Sequence, residues 1–288
     1  IHKSRSISPV TVEQLSLKRA SEALAWPDPE AILTPRGAGL AVYANHVRTK
    51  IGSALLRLGA PPTTRIGLLA SNPDAETTEP PLAIVVEFAG PASDDILREL
   101  HRLSWNFSHS PTLITIEPQL LRVWSCCEAP TVDEPITARL VHRIDASELS
   151  GDYTLQAAAA QALHWINLVS GAFFAEHAGR FDRNGRADQL LLSNLQAIRT
   201  KLITKGLVDD DVCHDLLARV IFVQFLFDRK DSEGKAALNA GKLARLYDEG
   251  VLNQLHAGFA SILADYDDGY ALFDWLNVRF NGDLFPGK

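Results

Sequence analysis

Seven consecutive residues, Leu82-Ala-Ile-Val-Val-Glu-Phe88, constrain this chain more than any others. The run is rich in β-branched side chains and lacks polar alternation. It therefore reads as a strand covered on both faces, not one with a wet side. A chain carrying such a strand must supply apolar layers above and below it, and candidates flank the run. Thr11 to Ala25 places Leu15, Leu17, Ala20, Ala23 and Leu24 ahead of Trp26-Pro27-Asp28-Pro29 and predicts a helix that stops there. Leu40 to Leu58 predicts another, with Val47, Ile51, Ala54, Leu55 and Leu58 at helical spacing and Gly59 as its stop. Ser93 is the expected N-cap of a third, with Asp94 and Asp95 in the first turn and an Ile96, Leu97, Leu100, Leu103 stripe. Arg65 to Ala70 suits a second strand. Thr112 to Ile116 and Leu120 to Cys126 suit a hairpin across Glu117-Pro118-Gln119. Residues 1–128 thus read as an α/β domain, helices packed on a mixed sheet.

Residues 129–150 are rich in Pro, Asp and Glu and are expected to form a linker. After them strand signals stop. Tyr153 to Ala175 reads as helix through Leu163, Ile166 and Val169, and Asp188 to Ile203 through Leu191, Leu195, Ile198 and Leu202. Leu216 to Phe227 is apolar almost all round, which predicts a central helix enclosed by its neighbours. Lys242 to Tyr247, Val251 to Leu263 and Tyr270 to Phe280 complete an all-helical domain over 151–288. The expected fold class is therefore α+β.

With 288 residues, 46% hydrophobic and 22% charged, the chain suits two globular domains and excludes a disordered tail. No apolar stretch approaches the roughly 20 residues of a membrane span, so no membrane partner is expected. Cys126, Cys127 and Cys213 make neither a disulfide framework nor a zinc site, which points to the reducing cytoplasm. The nine histidines are scattered without metal-ligand spacing. His101 and His109, flanking Trp105 and Phe107, suit a helix end packed on a sheet. Ser125-Cys126-Cys127 lacks a nearby base and is no nucleophile. The chain opens on Ile1 and contains no Met, which leads to the expectation of a piece excised from a longer product, with methionine positions dropped from it.

A net charge of −7 argues against a surface that coats nucleic acid everywhere, but the charge is uneven. Between Glu30 and Asp74 no acid occurs, while Arg36, Arg48, Lys50, Arg57 and Arg65 do. Arg180 to Lys205 carries six cations against two acids, a net of +4. Candidate phosphate contacts are Arg48, Lys50, Arg57, Arg183, Arg186, Arg199 and Lys201. The alternative is a solvated surface with no partner.

Three segments carry a resemblance. They are Arg186-Ala-Asp-Gln-Leu-Leu-Leu-Ser-Asn-Leu195, His214-Asp-Leu-Leu-Ala-Arg-Val-Ile-Phe-Val-Gln-Phe-Leu-Phe-Asp-Arg229 and Leu272-Phe-Asp-Trp-Leu-Asn-Val-Arg-Phe-Asn-Gly-Asp-Leu-Phe-Pro286. Together they resemble the helical region upstream of the catalytic domain in large adenine-specific DNA methyltransferases, including type IIG restriction–modification enzymes and phage-defence methylases. The resemblance covers about residues 150–286, with Phe-Asn-Gly-Asp-Leu-Phe its most specific part. It implies DNA as partner, other restriction or defence subunits as further partners, and S-adenosylmethionine as cofactor of the whole protein. It places no cofactor in this fragment. Neither the Gly-rich cofactor loop nor the Asn/Asp-Pro-Pro-Tyr/Phe motif that holds a flipped adenine occurs here. Asn72-Pro73-Asp74-Ala75 lacks the second proline and the ring, and Gly37-Ala38-Gly39 follows no strand. The resemblance implies that the catalytic domain follows Lys288.

In the same families the N-terminal segment often resembles the restriction-endonuclease fold. That site pairs Pro-Asp with a later Asp/Glu-x-Lys. Two carboxylates hold Mg²⁺, which activates a water, while the lysine offsets charge on the phosphate. Here Pro73-Asp74 precedes Glu87-Phe88-Ala89, so Asp74 and Glu87 are the degenerate catalytic candidates and the lysine position holds Ala89. Losing such a charge costs on the order of 10²–10³ in rate, by analogy with a lost oxyanion donor. Three readings stay open: chance similarity, a silent nuclease fold kept for its contacts, and an active Mg²⁺ nuclease using Arg98 or Arg102 instead. A protein-interaction module without DNA contact is the remaining alternative.

Overall fold

A computed structural model of the chain describes residues 14–60, 64–74, 79–107, 109–130, 134–149, 157–229 and 235–280, without the side chain of Asp211. The two-sided strand forms as expected. Strand β2 (Ala83–Glu87) is buried at every position. On one side it pairs antiparallel with β1 (Arg65–Leu69), and on the other parallel with β3 (Thr112–Glu117). Strand β3 turns through Pro118-Gln119 into antiparallel β4 (Leu120–Ser125), and β5 (Leu140–Asp145) closes the order β1-β2-β3-β4-β5. A parallel pair cannot be joined by a tight turn. The crossover from β2 to β3 is α4 (Asp94–Phe107), started by Ser93, whose Oγ accepts from Ile96 N–H.

Strand alternation sorts the core into two layers. Ala83, Val85, Ile114, Ile116, Leu121, Val123 and Ile144 face one way, onto Leu17, Ala20 and Leu24 of α1 (Leu17–Leu24) and Ile32 of α2 (Pro29–Leu33). Ile66, Leu68, Ile84, Val86, Leu113 and Trp124 face the other way, under α3 (Ala38–Arg57) and α4. Helix α3 packs through Leu40, Ala44, Val47, Ile51 and Leu55, spaced four, three, four and four. It stops at Gly59, whose φ of +74° only glycine adopts freely. Burying each of the Leu, Val and Ile side chains contributes about 1.5–3 kcal/mol.

Residues 129–150 are not the expected linker. They supply β5 and bury Ile136, Ile144, Ala146 and Leu149. His142 faces the α1 layer, where its Nε2 lies 2.7 Å from the Ala159 carbonyl and its ring meets Phe173 edge to face, while Arg143 on the opposite face is exposed and pairs with Asp145. Arg180 ties this segment down, pairing with Glu128 at 2.6 Å and donating to the Ala138 and Leu140 carbonyls.

The continuous helix expected up to Ala175 is three short ones: α5 (Ala158–Ala162), α6 (Trp165–Val169) and α7 (Ala172–Glu176). Breaks fall at His164 and at Gly171, with φ +81°. These helices belong to the sheet, not to a helical domain: Ala160, Leu163, Leu168 and Phe173 join the α1 layer. Trp26 Nε1 donates to the Leu163 carbonyl at 2.8 Å, and an Arg19 guanidinium nitrogen donates to the carbonyls of Ala146 and Leu149.

Compact units divide at Leu191 and Leu192, within α8 (Ala187–Thr204), well after the boundary the sequence suggested. The second unit, described by itself, continues with α9 (Asp210–Asp228), α10 (Ala240–Asp248), α11 (Phe259–Leu263) and α12 (Tyr266–Arg279). Its core gathers Val223, Leu226, Leu243, Leu246, Ile262, Leu272 and Leu276. The expected enclosure of α9 does not occur. Val223 and Leu226 are buried, but Ile221 and Phe225 on other faces stay exposed. Residues 281–286 of the Phe-Asn-Gly-Asp-Leu-Phe-Pro segment lie outside the described residues.

One glycine in β1 is demanded by packing. A Cβ on Gly67 would lie 2.6 Å from the Ile32 carbonyl oxygen, so α2 approaches the sheet only because no side chain stands there. Gly67→Ala is expected to destabilise the first unit by about 2 kcal/mol, read as a lowered denaturant midpoint at unchanged m-value.

Candidate functional site

The nuclease-like carboxylates lie at opposite ends of the β1–β2 pair. Arg65 is the register partner of Glu87, and Leu69 that of Ala83, so β1 runs away from Glu87 before reaching Asp74. Beyond β1 the Pro73 carbonyl accepts from Arg36 and Gly37 N–H at the start of α3. The part of α3 that adjoins Ile66 is Arg48 to Gly52, about 15 Å or more of helix away. Asp74 itself is exposed.

Glu87 is committed elsewhere. Its Oε1 accepts from the Leu17 N–H at 2.9 Å, satisfying a free donor at the first turn of α1, and its Oε2 pairs with Arg65 at 2.5 Å. The neighbouring strand offers Glu117, but the pleat turns that side chain to the other face. There it pairs with Arg122 and accepts from Ala92 N–H at 3.3 Å. Arg98 and Arg102, the substitutes for the missing lysine, sit on α4 over that same other face. Arg98 donates to the Glu134 carbonyl, and Arg102 binds Glu99 through two nitrogens. No cation from α4 therefore meets Glu87.

The candidate phosphate contacts separate into two kinds. Arg48 reaches inward to the carbonyls of Leu33 and Ile66, and Arg199 pairs with Asp210. Lys50, Arg57 and Lys201 are exposed and show no ion pair within 4.0 Å among the described residues. Lys50, Ser53 and Arg57 share one exposed face of α3 with His46, at spacings of four, three and four. The Arg57 charge also lowers the pKa of Glu99, whose largest influence is the hydrogen bond from Arg102.

Arg183 and Arg186 converge on something the sequence did not reveal. They line a cavity of about 500 Å³ beside the starts of β2 and β3 and the end of β4. Pro80, Pro81, Pro111, Phe174 and Phe181 form apolar walls, with His109 and Cys127 also lining it. The two arginines belong to a turn that only glycine permits: a Cβ on Gly185 would stand 2.1 Å from the Cys127 carbonyl oxygen. Trp105 Nε1 donates to the Gly185 carbonyl at 2.9 Å and holds the turn in place. Burial pushes the Cys127 thiol up, while Arg186 and Arg183 pull it down without reversing the sign, so it stays protonated at neutral pH. Tyr43 stacks on His109 at 5.2 Å, and its buried hydroxyl has no hydrogen-bond partner among the described residues. The only advance signals were a Pro-Pro pair before a strand and a glycine between arginines, and neither specifies a pocket.

The expected packing of His101 is seen, and Trp124 packs beside it in the sheet. His101 Nε2 lies 2.7 Å from the Ser125 carbonyl, and Trp124 Nε1 donates to Thr115 Oγ1 inside the sheet layer. In the second unit His256, Asp265 and Asp268 bring ligand-type atoms within 4.8 Å of one another. Hydrogen bonds account for this cluster without a metal. Asp268 is fully buried and accepts from Asn253 N–H and Nδ2, Gln254 N–H and His256 Nε2.

No family model, curated protein or solved structure matches the chain.

Glu87→Ala should cost about 2 kcal/mol, because it frees an α1 donor and a half-exposed guanidinium together. Glu87→Gln, which keeps the Leu17 acceptor, should cost about half as much in the same unfolding assay. For Asp268, burial raises the pKa, but the hydrogen bonds from Asn253, His256 and Gln254 outweigh it and hold the carboxyl below its usual range. A depressed folded pKa contributes stability above the unfolded value and loses it as pH falls through the folded one. The stability gap between wild type and Asp268→Asn should therefore narrow as pH drops from about 7 to about 3, followed by denaturant titration.

Proposed function

We propose that this chain is a non-catalytic N-terminal part of a bacterial DNA adenine N6-methyltransferase from a restriction–modification or defence system. In this reading the sheet domain is a silent restriction-endonuclease-like fold retained for contact with DNA, and the second unit mounts the methylase. The observation that carries DNA contact is the α3 face bearing His46, Lys50, Ser53 and Arg57, in a stretch without acids from Ala31 to Pro73. Exposed cations on one helix face are free to exchange counterions with phosphate, whereas Arg48 and Arg199 are held by their own protein. The methylase assignment rests on the resemblance of Arg186–Leu195, His214–Arg229 and Leu272–Pro286, whose described residues fall on or next to α8, α9 and α12. The engagement of Glu87 by Leu17 and Arg65 favours a silent fold over the Mg²⁺ nuclease alternative.

Duplex DNA should be bound weakly, without sequence preference, and with steep salt dependence in a fluorescence-anisotropy titration. Lys50→Glu with Arg57→Glu should weaken binding for all sequences alike and lower the log–log salt slope by about 2. Plasmid incubated with the chain and Mg²⁺ or Mn²⁺ should stay uncut. Absence of DNA retardation at low salt would favour the protein-interaction alternative, and nicking abolished by Glu87→Gln would restore the nuclease one.

A further inference from the structure

Helix α12 buries one face and leaves a chemically different one uncovered. Gly269, Leu272, Phe273 and Leu276 turn inward. Tyr266, Tyr270, Asp274 and Val278 follow at intervals of four, and Asp267 lies three before Tyr270, so these five share another face. Tyr266 is 75% exposed, Tyr270 43% and Val278 86%. Single apolar residues at a surface are ordinary, but three large ones along about 18 Å of one helix form a patch. The two tyrosine rings lie 4.7 Å apart, tilted by 48°.

The charge around this patch has one sign. From Leu246 to Val278 the sequence holds Asp248, Glu249, Asp265, Asp267, Asp268 and Asp274 and no Lys or Arg. Asp265 accepts from Gln254, and Asp268 from Asn253 and His256, within the unit. Asp267 is exposed and shows no hydrogen bond or ion pair among the described residues. Lys242 and Arg279 both lie over Trp275, 5.3 and 4.1 Å from its ring centroid. No described cation lies over Tyr266 or Tyr270.

We infer that this face of α12 docks a basic amphipathic helix of a partner protein, whose arginines stack on Tyr266 and Tyr270 and pair with Asp267. Charge complementarity selects that occupant. An acidic face repels phosphate and anionic lipid. A second copy meeting this face through its own would bring like charges together. A guanidinium is planar, so it stacks on a phenol ring and donates to a carboxylate at once, which a lysine ammonium does not match. Tyrosine and arginine also dominate measured interface hot spots. Contacts that recur every four residues along a straight axis suit a helix, and Val278 offers it an apolar seat two turns beyond Tyr270. The inference stands on the second unit alone and depends on neither the α3 face nor the methylase reading.

Fluorescence anisotropy of a labelled synthetic peptide, titrated with the whole chain, tests it. The peptide is an alanine-rich helix about 18 residues long with arginines and leucines along one face. So small an interface predicts a dissociation constant of about 10–100 μM, weakening as salt rises. A peptide of the same composition with its arginines spread around the helix should bind about tenfold more weakly, and one with lysine for arginine several-fold more weakly. Tyr266→Ala and Asp267→Lys should each weaken binding about tenfold, whereas Tyr266→Phe should keep it. Both residues are exposed, so these variants leave the core of the unit intact, which circular dichroism checks. The inference is overturned if the spread-arginine peptide binds equally well, or if Tyr266→Ala and Asp267→Lys leave the affinity unchanged. It is also overturned if sedimentation shows the chain self-associating and Asp267→Lys abolishes this, because the occupant is then a second copy. Lys50→Glu with Arg57→Glu should not weaken peptide binding, which separates this result from the DNA-contact reading.

Discussion

The first unit depends on the two-sided burial of its central strands. Because β2 has no wet face, helices must cover both sides, and α1 with α2 and α3 with α4 do so. The parallel pairing of β2 with β3 follows, since the covering helix α4 is also the connection that lets two neighbouring strands run the same way. Where the layers approach most closely the sequence has given up side chains: Gly67 under α2 and Gly185 against Cys127. Neither glycine adopts a left-handed backbone, so contact, not conformation, requires them.

Carboxylates at the ends of such strands have two possible uses, and this protein has taken the structural one. Glu87 supplies an acceptor to the start of α1 and a partner to Arg65, and Glu117 does the same for Ala92 and Arg122 on the opposite face. A metal site would need two such groups on one face with lone pairs to spare. The pleat places them on opposite faces, and protein donors already occupy them. The other end of the sheet is different. There, prolines leading into β2, aromatic residues from α7 and the following turn, and Arg183 and Arg186 line a cavity.

Much of the architecture was legible because local chemistry and tertiary environment agree. The β3–β4 hairpin, the Ser93 cap, the glycine stop after α3 and the two-sided character of β2 are each set by residues within a few positions of one another. Legibility failed where partners are remote. Leu140 to Asp145 has too little apolar pattern to read as a strand, yet the free edge of β4 recruits it and Arg180 fastens it. Ala158 to Glu176 keeps a helical composition, but Gly171 and the shape of the sheet face cut it into pieces and assign it to the first unit. The apolar girth of α9 promised enclosure that its unit does not provide.

The same division holds for the sites. Sequence alone determined the inventory: an acid-free basic stretch, a Pro-Asp and a Glu without their lysine, a second basic window and an apolar central strand. Those are properties of residues and short spacings, which covalent order fixes. Only the tertiary structure decided that Asp74 and Glu87 lie apart, that Arg48 and Arg199 are held by their own protein, and that Arg183 and Arg186 stand with Phe174 and Phe181 around one cavity. Convergence of side chains from distant segments depends on strand register and on which face each pleat presents, and a single slip in register would exchange every one of those faces.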